Sequence, residues 1–162
     1  MPLATPTRRM PVPEAIREFF GDLLGKGVSV EKRAEFDFND EDLVAVSAVF
    51  VEDDGTVGGA CVADLPLSAY AGAALAMVPK PVAEESVKAG VLEDSLKDNY
   101  HEVANILTAV LNGPSVPHLK IRELSEGVPD EIKDLVVKAA GRRTFDVTIT
   151  DYGSGQLALY AR

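Results

Sequence analysis

Between Leu96 and Leu111 the sequence has two faces of opposite character, so a chain carrying this segment must pack one of them and show the other. At about 100° per residue, Leu96, Tyr100, Val103, Ile106, Leu107, Val110 and Leu111 gather on one side of a helix. Asp98, Glu102, Asn105, Ala109 and Asn112 gather on the other, within about 80° of one another. The spacing predicts a helix from about Glu93 to Leu111, docked on a core by its apolar side, with two carboxylates and two carboxamides turned outward.

The flanking segments indicate what that helix docks on. Residues 1–11 hold three prolines and two arginines without periodicity and are expected to form a mobile tail, leaving one domain over residues 12–162. Pro13 opens a helix in which Ile16, Phe19, Phe20 and Leu23 keep helical spacing, and Gly25 and Gly27 close it. Within Val28 to Phe38 a strand of undefined register is expected. Leu43 to Val51 is β-branched and turns at Asp53-Asp54-Gly55 into a second strand, Val57 to Ala63. Gly58 and Gly59 in that second strand point to a bulge or a close backbone approach.

An alanine-rich helix over Pro66 to Met77 is stopped by Pro79 and Pro81, and a second helical region, 82–111, breaks at Gly90. A strand at His118 to Glu123, a helix at Asp130 to Ala139 and a hairpin, Thr144 to Thr150 with Gln156 to Tyr160, complete the chain. This order lacks the regular alternation of a doubly wound parallel sheet. It reads as α+β, a mainly antiparallel sheet with long helices packed on one face.

Composition removes several function classes. With 26 acidic against 16 basic residues the formal charge is -10, which opposes nucleic-acid binding, and 46% hydrophobic residues supply one substantial core. The lone Cys61 has no partner for an intramolecular disulfide, and two histidines, His101 and His118, are too few for a zinc site, so no metal site is expected. No apolar stretch approaches the roughly 20 residues that span a bilayer, and Met1 to Pro6 lacks the pattern of a signal peptide. The expectation is a cytoplasmic protein without membrane contact.

The spacing Asp98-x-x-x-Glu102-x-x-Asn105, on a helix that follows a hairpin and an alanine-rich helix, resembles the signature of the CheC, CheX and FliY chemotaxis phosphatases. Upstream, Val44 to Val49, Gly59-Ala-Cys-Val, Leu65, and Ala69 to Met77 with its terminal Ala-Met pair resemble that family's two strands, glycine-containing turn and following helix. With a single copy of the motif, the chain is most similar to CheX. The resemblance implies a CheX-like fold and an aspartyl-phosphate phosphatase, a hydrolase of two-component signalling. Its partner would be a phosphorylated CheY-like receiver domain, the response regulator of such a system.

In that scheme Asn105 orients a water and Glu102 engages the receiver's lysine, while Asp98, His101 and Asn112 belong to the partner-binding face. No cofactor is bound by this chain, and the divalent metal, Mg, sits on the receiver. The resemblance also implies that two copies can form a homodimer. The sequence departs from the family pattern at His101, where a small residue usually precedes the Glu, and at Pro79, which occupies a usual Gly position. The helix at Asp130 to Ala139 has no CheX counterpart.

Other readings stand beside this one. Glu-x-x-Asn on a surface helix is also what a solvated face looks like. A fold of this kind can bind a receiver or another signalling partner without turnover, or serve as a dimerisation module through an edge strand such as Gln156 to Tyr160. His101 reads equally as a surface histidine, His118 as a strand residue and Cys61 as a buried small hydrophobe. Ser154, between two glycines in a turn and with no histidine nearby in sequence, reads as a turn residue and not a nucleophile.

Overall fold

The computed structural model describes residues 8–162. In chain order the elements are α1 (Pro13–Leu24), β1 (Val28–Lys32), β2 (Ala45–Val51), β3 (Val57–Asp64), α2 (Leu65–Leu75), α3 (Lys80–Ala89) and α4 (Asp94–Leu107). A 3-10 turn at Thr108–Leu111 continues α4, and β4 (Lys120–Glu126), α5 (Asp130–Lys138), β5 (Gly141–Ile149) and β6 (Gly153–Ala161) follow. The architecture is α+β. Six strands form one sheet in the order β1-β5-β6-β3-β2-β4, and every neighbouring pair is antiparallel.

Strand periodicity decides which residues meet which helices. In β2, Val46, Ala48 and Phe50 enter the core shared with α1, α2 and α4, whereas Ala45, Val49 and Val51 enter a second core on the opposite face. That second core is closed by Ile132 and Leu135 of α5, with Phe36, Phe38 and Leu43 packed against it. The short α5 therefore covers the face that the longer helices leave open. All seven residues of β2 are buried, as a strand covered on both sides requires.

Local chemistry sets the helix limits. Gly25 and Gly90 end α1 and α3 in the left-handed conformation, at φ 65° and 72°. Asp64 caps α2: its Oδ1 accepts from Leu67 N at 3.0 Å and also from Gln156 N of β6 at 3.0 Å, so one carboxylate oxygen joins helix and sheet. Ser86 Oγ accepts from Glu93 N and donates to Val91 O, which fixes the turn into α4. Gly58 is the extra residue where the β2–β3 register slips, and a Cβ on it would stand 2.6 Å from Leu119 Cδ2, so both a bulge and a close approach occur there.

Three sequence expectations are corrected. Arg8 and Met10 are buried, so residues 8–11 belong to the packed fold and not to a mobile tail, while the rest of the expected tail, 1–7, lies outside the described residues. Gln156 to Tyr160 is no edge strand: β6 sits between β5 and β3, and the edges are β1 and β4. The apolar β6 pattern needed neighbours on both sides. The α-helix expected to reach Leu111 ends at Leu107, where the chain tightens into the 3-10 turn.

The contact that seats α4 is at Gly72 of α2. A Cβ there would stand 2.5 Å from the Leu96 carbonyl oxygen and 3.4 Å from Tyr100 N. Alanine favours a helix over glycine by about 1 kcal/mol, but overpacking against backbone costs about 1–3 kcal/mol and should prevail in this crowded position. Gly72→Ala is therefore expected to lower the urea midpoint, and a raised midpoint would show that the helices have room. For Asp64, burial raises the carboxyl pKa, opposed by the two backbone hydrogen bonds and by Arg33. A raised folded pKa means the stabilising term is full below the ordinary carboxylate value of about 4 and is lost as pH rises through the folded value. Asp64→Asn keeps the accepting oxygen, so wild type should lose stability relative to the variant between acid and neutral pH, as read by urea unfolding at both.

Candidate functional site

The site grows from the burial of the other side of α4. Leu96, Tyr100, Val103, Ala104 and Leu107 are buried, which fixes the helix about its axis and turns Asp98, Glu102 and Asn105 to solvent together. All three are exposed. Among the described residues no ion pair within the chain engages either carboxylate and no side-chain hydrogen bond engages Asn105. Beside the stripe, Lys97 Nζ lies 3.7 Å from Glu126 Oε1 and ties α4 to the edge strand β4.

Tyr100 anchors the helix from below. Its ring is buried to 1% exposure, and its phenol and the Cys61 thiol of β3 share the main core. Burial pushes the Cys61 thiol up to about 12, so it stays protonated, and burial likewise drives Tyr100 well above its ordinary value. Neither group is a nucleophile at neutral pH. Their place is in the support of the stripe.

The structure separates the expected site residues. Asp98, Glu102 and Asn105 share the exposed face, and the exposed His101 flanks them. Asn112 does not join it. The 3-10 turn carries it off the helical register, and its carboxamide pairs with the backbone of Leu119: Nδ2 donates to Leu119 O at 3.0 Å, and Leu119 N donates to Oδ1 at 2.8 Å. Ile106, expected in the apolar face, is 38% exposed and borders the stripe. His118 is exposed, and Ser154 Oγ lies 2.7 Å from Thr148 Oγ1 across the β5–β6 hairpin.

One contributor was missed in the sequence. Arg8 is 7% exposed, and its guanidinium donates from Nη1 to Leu111 O at 2.8 Å and from Nη2 to Pro117 O at 2.7 Å. No local pattern marks such a long-range contact. Among the described residues no cluster of three or more His, Cys, Asp or Glu side chains is placed to hold a metal ion, and no helix is long and apolar enough to cross a membrane.

What the arrangement offers chemically is an open face. An amide that can donate and accept at once stands one turn from a carboxylate on a rigid helix, and both side chains are open to solvent. Such a face suits a partner that brings its own reacting group.

The fold recurs among solved structures. The chain is similar to the FliM middle domain from H. pylori, at 9% identity and a TM-score of 0.54, with 92% of this chain and 84% of that one covered. It is similar to FliM in the FliG–FliM complex from H. pylori, at 11% identity and a TM-score of 0.50, covering 92% and 86%. The CheX–CheY–BeF3–Mg complex from Borrelia burgdorferi gives 12% identity and a TM-score of 0.48, covering 92% and 94%. No protein-family model matches the sequence, and no curated protein matches it.

The Asn112 bridge is testable by itself. Asn112→Ala leaves the N–H and C=O of the buried Leu119 without partners, which should cost about 1–3 kcal/mol in urea unfolding. Asn112→Asp, which keeps the acceptor and loses the donor, should fall between. A stability unchanged in the alanine variant would show that water replaces the amide at no cost.

Proposed function

We propose that this protein accelerates hydrolysis of the aspartyl phosphate on a CheY-like receiver domain, with Asn105 orienting the attacking water and Glu102 docking the receiver. The observation that carries the reading is the placement of Asp98, Glu102 and Asn105, free and outward, on a helix whose other side is locked into the core. The spacing of the three is the one that resembles the CheC, CheX and FliY signature.

The chemistry asks little of this chain. An acyl phosphate is already activated, and a receiver holds its own divalent metal and lysine against the phosphoryl oxygens, so an oriented water is the part to supply. The Asn105 carboxamide accepts a hydrogen bond from the water through Oδ1 and donates one from Nδ2, holding the water oxygen in line with phosphorus. The new O–P bond forms as the bond to the aspartate oxygen breaks. The aspartate leaves as a carboxylate, and the water's proton departs with inorganic phosphate. Glu102 pairs with the receiver's lysine and sets the distance of approach, while Asp98, one turn earlier, extends the acidic face that meets the partner. His101 flanks the stripe and limits how closely a receiver can sit.

A second reading keeps the docking and drops the turnover. It is favoured by the recurrence of the fold in a FliG–FliM complex from H. pylori.

One experiment separates the two. The decay of a phosphorylated receiver is followed with and without this protein, together with direct binding of the two. The phosphatase reading expects faster decay, a loss on the order of 10²-fold in Asn105→Ala, and weakened binding in Glu102→Lys. Binding with an unaltered phosphate lifetime would replace it with the docking module. Undiminished acceleration in Asn105→Ala would remove Asn105 from the mechanism.

A further inference from the structure

The feature of the fold that the docking stripe leaves unexplained is the charged group buried at the far end of the same helix. Arg8 lies 103 residues from Leu111 and 109 from Pro117, yet its two terminal nitrogens bind both carbonyls. The acceptors are backbone oxygens, and Glu52 acts on the guanidinium only as a background charge against the desolvation that lowers its pKa. Leu111 ends the 3-10 turn that continues α4, so its carbonyl is an orphan of a helix C-terminus, where a cation is favoured. Pro117 lies in the segment that returns from that turn to β4.

One planar fork therefore sets the position of the turn relative to the returning segment. The Asn112 carboxamide makes the second tie, to Leu119, and Leu119 is itself buried against the glycine bulge of β3. The carboxy-terminal end of α4 is thus bolted at two points to the segment that leads into β4. Asn105 stands on the last turn before that bolt, whereas Asp98 stands two turns further from it.

We infer that Arg8 is a positioning residue for Asn105: by clamping Leu111 to Pro117 it fixes the final turn of α4 and so the aim of the carboxamide. The inference rests on the phosphatase reading. It makes Arg8, remote in sequence from the stripe, part of the functional unit. Its consequence is a split in kinetics. Loss of the clamp should blunt the step that depends on aim and spare the docking that depends on Asp98 and Glu102.

The test measures receiver dephosphorylation over a range of receiver concentrations for wild type, Arg8→Ala, Arg8→Lys and Ile132→Val, all assayed well below their melting temperatures. Ile132, on α5, is buried against the opposite face of the sheet and serves as a destabilised control. Hydrogen exchange of the amides from Ala109 to Leu119 is followed in parallel. Arg8→Ala should exchange faster there and lose about 3- to 10-fold in the saturating rate, with the half-saturating concentration within about twofold of wild type. Arg8→Lys, which reaches one carbonyl at a time, should recover part of that loss, and Ile132→Val should show neither effect. An active wild type whose saturating rate is unchanged in Arg8→Ala, or reduced only as far as in Ile132→Val, overturns the positioning role alone. A wild type that does not accelerate decay overturns the phosphatase reading and the positioning role with it.

Discussion

The fold depends on one close approach. Gly72 brings the backbone of α2 against the Leu96 carbonyl and the Tyr100 amide of α4, closer than any side chain allows. Through that contact α4 lies low enough for Tyr100 to reach Cys61 in the sheet and for Leu96, Val103 and Leu107 to enter the main core. The same narrowness recurs where Gly155 of β6 meets the first turn of α2 at Leu67. Small residues at these points convert an alanine-rich helix, with little side-chain volume of its own, into the spacer that sets the height of α4 above the sheet.

The height and roll of α4 are what give the stripe its meaning. A helix held by five buried side chains, one of them a tyrosine, cannot rotate without exposing them, so the directions of Asp98, Glu102 and Asn105 are set by the core and not by contacts among themselves. This leaves the stripe free of internal partners, which is what an interaction face needs. Carboxylates already paired would have to break those pairs before binding, and desolvation would oppose the exchange. The formal charge of -10 acts in the same sense, because an acidic face on an acidic protein draws basic partner surfaces and repels acidic ones.

Much of this was legible in the chain, for identifiable reasons. The two-faced helix, the turn at Asp53-Asp54-Gly55 and the proline and glycine limits of α1 to α3 are local signals, and local physics honours them. Strand order is not local. The Gln156 to Tyr160 pattern says that a strand exists, yet nothing within five residues says whether one neighbour or two will cover it, and β6 proved interior. Asn112 failed for a subtler reason: periodicity extrapolates a helix past the point where four residues tighten to 3-10 geometry, and the register is lost with it. The Asp64 cap was readable in Asp64-Leu-Pro-Leu and was overlooked, whereas Arg8 carried no signal at all, since a buried arginine is recognised only by the distant carbonyls it meets.

An exposed amide is an unusual place for the hydrolytic function proposed for this chain, and the physical argument for that proposal is division of labour. A small-molecule enzyme must exclude water with its own cavity, because its substrate cannot. When the substrate is a folded domain carrying a metal, a lysine and the scissile bond, the cavity forms only on contact, and each surface supplies part of its wall. The requirement on this chain is then rigidity and not enclosure: a carboxamide fixed to a helix that the core holds beneath and that the Leu111–Arg8–Pro117 clamp holds at its end. A helix fastened only through its middle would let its last turn fray, and the last turn is where Asn105 lies. The distribution of ties, apolar along the length and polar at the carboxy terminus, answers that weakness where the orphan carbonyls of a helix create it.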